Sequence, residues 1–269
     1  GAMALWGANA GIVSRVGSDF PLDLLSTARQ HGFDLTGVKS IDREVDLRSF
    51  TAWRDARCAE HDNPLMHFSR ADQPFPKSLL GYTPPPAGLD SRITPTALTI
   101  RPGDLPGEYL DARTAYIAPA DFLTHSLLPD ALRKGHITTI LLRAGERYMA
   151  PGFFDDLTGI FHGVSIFACQ ETSLRGLFSG RSYDLNEMTT HLTAQGIEFV
   201  LVFQEDFGVL LVDGPGKRAW RLPPYPARIC DPSGYEDAVC AGFLVEYTQS
   251  YDPLRAALRG LAGASVKLE

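Results

Sequence analysis

The sequence predicts an α/β protein whose mostly parallel central sheet carries helices on both faces. Three observations lead there. The chain has 269 residues, 44% of them hydrophobic, enough for one large buried core. Short apolar runs of strand length alternate with stretches whose apolar residues recur at helical spacing, the rhythm of a parallel sheet with crossover helices. No internal repeat and no linker interrupts that rhythm, so residues 1–269 read as a single domain.

Along the chain, Gly1–Trp6 reads as the end of a helix and Ala10–Val16 as a buried strand. Phe20–His31 has helical spacing and stops at Gly32. Leu35–Ile41 and Arg48–Trp53, within about 35–53, alternate like strands of a small exposed sheet rather than core strands. Residues 60–107 are dense in proline and glycine, as in Thr83-Pro84-Pro85-Pro86-Ala87-Gly88. They read as an irregular surface insertion with one strand near Ala97–Ile100. Beyond it, strands are expected at Thr114–Ala118, Ile137–Leu142, Val164–Phe167 and Glu198–Phe203. Helices are expected at Asp121–Lys134, interrupted near Pro129, and at Gly152–Thr158, Glu171–Phe178 and Asp184–Gln195. Val209–Val212 and Ala219–Leu222 make a strand pair around the turn Asp213-Gly214-Pro215-Gly216. Helices Asp237–Tyr247 and Pro253–Leu261 close the chain, the second with Asp252 as N-cap and Pro253 at its first position.

The net charge is −7. An acidic balance without long basic runs argues against nucleic-acid binding, which needs a basic surface. It leaves room for a phosphate ligand held by backbone amides and a metal. The cysteines Cys58, Cys169, Cys230 and Cys240 form no C-x-x-C pair and are expected as free, mostly buried thiols in a reducing cytoplasm. No apolar run reaches the roughly 18 residues of a membrane span, and no signal peptide is visible. The sequence has no P-loop motif, no G-x-G-x-x-G after a strand and no G-x-S-x-G elbow, so those three site types have no support. His125, His136 and His162 are scattered and are not expected to share a metal. For Trp53, with Arg54 and Arg57, an ordinary half-buried packing role is favoured over lining a ligand site.

Chemistry concentrates in Asp231-Pro232-Ser233-Gly234-Tyr235-Glu236-Asp237-Ala238-Val239-Cys240-Ala241-Gly242-Phe243. A loop runs into a helix there, and Gly234 permits a tight turn. Unpaired N–H groups at a helix start, together with the helix dipole, form an anion site. Asp237, in the first turn, is placed to accept a proton from a hydroxyl attacking a bound phosphate. Taken alone, the segment favours the plainer reading, in which Ser233 or Asp237 merely caps the helix.

The segment resembles the D-T-x-G-A-G-D-x-F-x-x-G-F signature of the ribokinase-like (PfkB) family of carbohydrate kinases. Asp231, Gly234, Asp237, Gly242 and Phe243 match in order and spacing. Ile12–Asp19 is similar to the family's strand ending in V-G-x-D, and Gly32–Val38 to its G-V-D-x-x-x-V leading into the lid. Phe167–Glu171 resembles a strand followed by N-x-x-E, Phe203–Gly208 the nucleotide-side G-x-x-G, and Ala256–Val266 the late helix beside the adenine. The resemblance implies a ribokinase-like fold with a small β lid over about 35–53, and an enzyme that uses ATP and Mg2+ to phosphorylate a hydroxyl of a sugar, polyol or nucleoside-type substrate. It implies Asp237 as catalytic base, Ser233, Gly234, Tyr235 and Glu236 as the phosphate-binding anion hole, Gly208 and Ser265 at the nucleotide, and Glu171 at the metal. Its partner is a small sugar-like molecule, and a homodimer through the lid is left open. The family's first strand and G-G motif are expected ahead of Gly1, and its final strand beyond Glu269.

Three positions depart from the family pattern. Tyr235-Glu236 stands for Ala-Gly, Ala168 for the Asn of N-x-x-E, and Glu205 for the first glycine of G-x-x-G. A Glu236 carboxylate about 5 Å from a phosphate charge would repel it by roughly 3 kcal/mol at an effective dielectric near 20. The penalty vanishes if the side chain points to solvent or meets a cation. Two readings follow, a kinase or a catalytically inactive relative with a binding or regulatory role, and the surroundings of Glu236 separate them.

Overall fold

The computed structural model describes residues 6–7, 9–55, 58–84 and 88–269. The helix end expected over Gly1–Trp6 and the packing role of Arg57 lie outside them, apart from Trp6.

The first elements among the described residues are a parallel pair, β1 (Gly11–Val16) and β2 (Asp34–Ser40), joined through helix α1 (Leu22–Gln30). An antiparallel hairpin follows, β3 (Ala52–Asp55) and β4 (Cys58–Glu60), then α2 (Pro64–Arg70). Residues up to β5 (Thr114–Ile117) form short 3-10 turns and loops. From β5 onward the rhythm is regular, with α3 (Phe122–Arg133), β6 (Thr139–Arg143), α4 (Leu157–Phe161), β7 (Ile166–Gln170), α5 (Glu171–Leu177), α6 (Leu185–Ala194) and β8 (Phe199–Phe203). The hairpin β9 (Val209–Asp213) and β10 (Arg218–Leu222) and the long helices α7 (Tyr235–Ser250) and α8 (Pro253–Leu268) complete the chain.

Strands β5 to β10 form one six-stranded sheet in sequence order, parallel from β5 to β8 and antiparallel from β8 to β10. β6, β7 and β8 are apolar almost throughout because both sheet faces are covered. The two-residue pleat divides them. Ile140, Leu142, Phe167, Cys169, Val200 and Val202 pack with apolar residues of α3, α4, α5 and α6. Leu141, Ile166, Ala168, Phe199, Leu201 and Phe203 pack with α7 and α8. Those two helices cross closely where Gly242 meets Gly260, since a Cβ on Gly242 would lie 2.8 Å from the Gly260 Cα. Glu246, buried between them, is paired with Arg255 at 2.6 Å and with Arg259. The architecture is the expected α/β one, with a mostly parallel sheet, helices on both faces and a small β hairpin beside it.

Local differences have physical causes. β1, expected to be buried, buries only Val16, because β2 is its one strand neighbour among the described residues. The 35–53 segment is divided between two sheets, β2 pairing with β1 and Ala52–Asp55 with β4. Ala97–Ile100 is not a strand. The Thr99 hydroxyl instead accepts from the Thr96 N–H at 2.8 Å and donates to Asp121 at 3.0 Å. Helix α3 runs through the buried Pro129 without a break, and α8 extends to Leu268. Cys169 and Cys240 are buried free thiols and Cys230 an exposed one, while the Cys58 side chain lies outside the described set. Among the described residues, no helix is long and apolar enough to cross a membrane.

Candidate active site

The parallel strands β5 to β8 end side by side, where open α/β sheets place their ligand sites. The pleat carries a polar residue out of each strand onto the face that α7 covers. Two positions beyond Leu141 stands Arg143, and two beyond Ala168 stands Gln170. Tyr116 projects from β5 toward the same helix.

Helix α7 begins in the segment singled out by sequence. Gly234 has φ +73°, a left-handed conformation that glycine adopts without strain. The Ser233 N–H donates to Asp231 at 2.9 Å, and Asp231 is anchored to Lys267 of α8 at 2.9 Å. Those contacts hold the Asp231 carboxyl at about 2, with the Lys267 bond the largest cause. Tyr235 is buried, its hydroxyl donating to the Phe207 carbonyl, which ties the loop to the β8–β9 turn.

Glu236 and Asp237 occupy the first turn of α7, where the helix dipole favours negative charge. Both meet Arg143. Its Nη1 lies 2.6 Å from Asp237 Oδ1, and its Nη2 pairs with Glu236 Oε2. Gln170 Nε2 donates to Glu236 Oε1 at 2.9 Å, and the Tyr116 hydroxyl donates to Asp237 Oδ1. Asp237 Oδ2 has no hydrogen-bond partner among the described residues, and the Asp237 side chain is 45% exposed. Burial works against the charge of Arg143, but Glu236 and Asp237 more than offset it and raise its pKa. Burial lifts the Glu236 carboxyl above its ordinary range, against the pull of Arg143 and Gln170. Burial, then the neighbouring Cys240 and Asp237, pushes the Tyr116 phenol up, so it remains a proton-bearing donor.

A cleft of about 570 Å³ opens on this loop. Ser233, Gly234, Tyr235, Glu236 and Glu171 all line it, with Arg143, Gln170 and Gln204. Asp237 follows directly on that lining. Trp53 of β3 closes one side, its indole N–H donating to the Ser233 hydroxyl at 3.2 Å. Glu171 accepts from Gln204 at 3.0 Å and from Arg175 at 2.9 and 2.7 Å. The Gln204 bond, and Arg175 against some desolvation, keep its carboxyl below the ordinary range. Gln204 Oε1 is buried without a partner among the described residues. A carboxylate and an unpaired amide oxygen on one cleft wall suit a hard divalent cation, which takes oxygen ligands and keeps several waters.

Three expected residues are not part of the cleft lining: Asp237, which adjoins it through Glu236, Gly208 and Ser265. Gly208 closes the turn Gln204–Gly208, where a Cβ would meet the Leu222 carbonyl at 2.9 Å, while its neighbours Gln204, Glu205 and Phe207 reach the cleft. Ser265 is 8% exposed in α8 and gives its hydroxyl to the Ala262 carbonyl at 2.7 Å. Ala168 is fully buried under α7, and the polar group nearest to it in sequence on the cleft is Gln170. Arg143 and Tyr116 carried no sequence motif, and Gln170 fell on an unassigned position of the Phe167–Glu171 segment. The available signal was a polar residue continuing the pleat at a strand's carboxyl end.

A helix start facing a cleft at the ends of parallel strands, with a carboxylate in its first turn, is the arrangement this α/β fold presents. No family model matches the chain. It is 25% identical over 261 residues to a cytidine kinase of Thermococcus kodakarensis, covering 95% of this chain and 80% of that one. An E. coli protein assigned as ribokinase II, solved with ATP and Mg2+, has a TM-score of 0.72 at 14% identity, covering 99% of this chain and 79% of that one. Thermotoga maritima ribokinase gives 0.68 at 14% identity, with coverage of 99% and 77%. Methanocaldococcus jannaschii nucleoside kinase gives 0.65 at 14% identity, with coverage of 99% and 76%. The chain has the ribokinase-like fold of these solved structures.

Proposed function

We propose that this chain is a PfkB-type kinase that transfers the γ-phosphoryl group of ATP to a hydroxyl of a nucleoside- or sugar-type substrate. The observation that carries this reading is Asp237. Tyr116 and Arg143 hold its Oδ1 at the start of α7, and Oδ2 is left to take a proton. The hydroxyl oxygen forms the new bond to phosphorus, its proton passes to Asp237, and the bond from phosphorus to the departing ADP breaks. The first-turn amides of α7 face the phosphate charge. Glu171 and Gln204 are the residues that would hold Mg2+, which when bound neutralises phosphate charge. Glu236 meets a cation rather than the open cleft alone, which removes the main objection to catalysis raised by its charge. The cytidine kinase relative and the ATP-bound neighbour support a kinase, and the relative favours nucleosides among the substrates.

The test is ADP release from Mg-ATP with cytidine, other nucleosides, ribose, other sugars and polyols. Asp237→Asn lowers kcat by on the order of 10²–10⁴-fold while leaving Mg-ATP stabilisation in a thermal melt intact. Near-full turnover in Asp237→Asn overturns the base assignment, and no turnover with any substrate favours the inactive relative.

A further inference from the structure

The loop that would receive a phosphate contains two adjacent carboxylates, Glu236 and Asp237. One guanidinium serves both. Arg143 is 17% exposed at the end of β6, directs Nη1 to Asp237 Oδ1 at 2.6 Å, and pairs through Nη2 with Glu236 Oε2. Gln170 takes the other Glu236 oxygen at 2.9 Å. Arg143 also lines the cleft itself. The charge that Glu236 adds is cancelled by the charge of Arg143, so the local sum is that of Asp237 alone. Stability by itself does not call for this arrangement, because partly buried ion pairs are often no more stabilising than apolar packing.

We infer that Arg143 is a positioning residue with two separable roles, one at Glu236 and one at Asp237. At Glu236 it neutralises the carboxylate, so that an acidic loop accepts an anionic phosphate. At Asp237 it shares Oδ1 with Tyr116, so that Oδ2 is the oxygen presented to the substrate hydroxyl. The first role bears on nucleotide affinity and the second on the chemical step. This inference rests on the phosphotransferase reading above and assigns residues within that same site.

The two roles separate in steady-state kinetics of the whole chain with Mg-ATP and the best alcohol of the substrate panel. Arg143→Ala raises KM for Mg-ATP about tenfold or more, because Glu236 is left uncompensated, and lowers kcat about tenfold or more through loss of the grip on Asp237. The double variant Arg143→Ala/Glu236→Gly returns KM to within about threefold of wild type, while kcat stays low. Arg143→Lys keeps the charge but not the fork, so it protects KM more than kcat. An arginine with a merely structural role would leave the double variant as impaired in KM as the single one. If Arg143→Ala does not fold, the double variant, compared with Glu236→Gly, gives the same reading, namely equal KM and a lower kcat. Wild-type KM in Arg143→Ala, or a double variant with unrecovered KM, overturns the inference. A wild-type chain that turns over no alcohol sinks the phosphotransferase reading and this inference together. An active wild type with unchanged KM in Arg143→Ala sinks only the role given to Arg143.

Discussion

Strands β6, β7 and β8 are buried along nearly their whole length, whereas β1 buries one residue and β3 none. Helix α1, between β1 and β2, has no buried residue, although Leu22 and Leu24 are 78% and 54% exposed. The candidate site is divided the same way. Arg143, Gln170, Glu171, Gln204 and the α7 loop all stand on the doubly covered sheet, and the half-covered region contributes Trp53. The polar groups of the cleft therefore sit on the densely packed sheet, and the aromatic side chain that closes one side of it sits on the loosely packed part.

The sharpest contrast is in core truncation. Phe167 is fully buried in β7, so Phe167→Ala costs about 3–5 kcal/mol in a urea melt. Leu24→Ala in α1 stays within about 0.5 kcal/mol, and equal losses would break the distinction between the two regions. A second difference lies in acid sensitivity. The Ala118 carbonyl accepts from His125 Nε2 at 2.9 Å, so Nδ1 accepts from the Tyr148 hydroxyl at 2.6 Å and the ring is neutral. Burial lowers its pKa to about 4, below the ordinary value of about 6.5. The unfolded chain then binds the extra proton, so stability is full above about pH 6.5 and falls by about 3 kcal/mol as pH drops toward 4. His125→Gln flattens that slope, and an unchanged slope in the variant assigns the acid sensitivity elsewhere.

The smallest effect belongs to the half-covered region. Asp104 joins Arg15 of β1 at 2.7 Å and Lys39 of β2 at 3.2 Å. Burial raises its carboxyl, but Arg15, the Arg101 N–H and Lys39 win and hold it at about 2. Its contribution is present above the ordinary carboxylate range and is lost as pH falls through about 2. Because Lys39 is 46% exposed and screened, Asp104→Asn costs about 1–2 kcal/mol at neutral pH. A urea midpoint unchanged by Asp104→Asn would mean that these ion pairs do not fasten β1 and β2 to the rest of the chain.

Sequence pattern revealed most of the sheet, because doubly covered strands such as Phe199–Phe203 are continuous apolar runs. It also located the α7 loop, whose chemistry is local and contiguous. It did not reveal the partners of that loop. Arg143 and Tyr116 lie 94 and 121 positions from Asp237, and Gln170 lies 66 from Glu236, so topology alone brings them together. Threonines near Ala97–Ile100 imitated a strand while serving side-chain bonds. Ser265 looked like a ligand contact because a short polar residue in a helix reads as available until its own carbonyl partner is seen.

The cover of one sheet face by α7 and α8 has a consequence for how the protein is made. Leu141, Ile166, Ala168 and Leu201 are fully buried beneath α7 and α8, which follow β10 in sequence. A ribosome releases those helices only after β5 to β10 have emerged. Until then the nascent chain presents one finished apolar face to the cell, at the stage when partly folded species aggregate or recruit chaperones. The segment that carries Asp237 and the candidate site is thus also the one whose arrival covers that face.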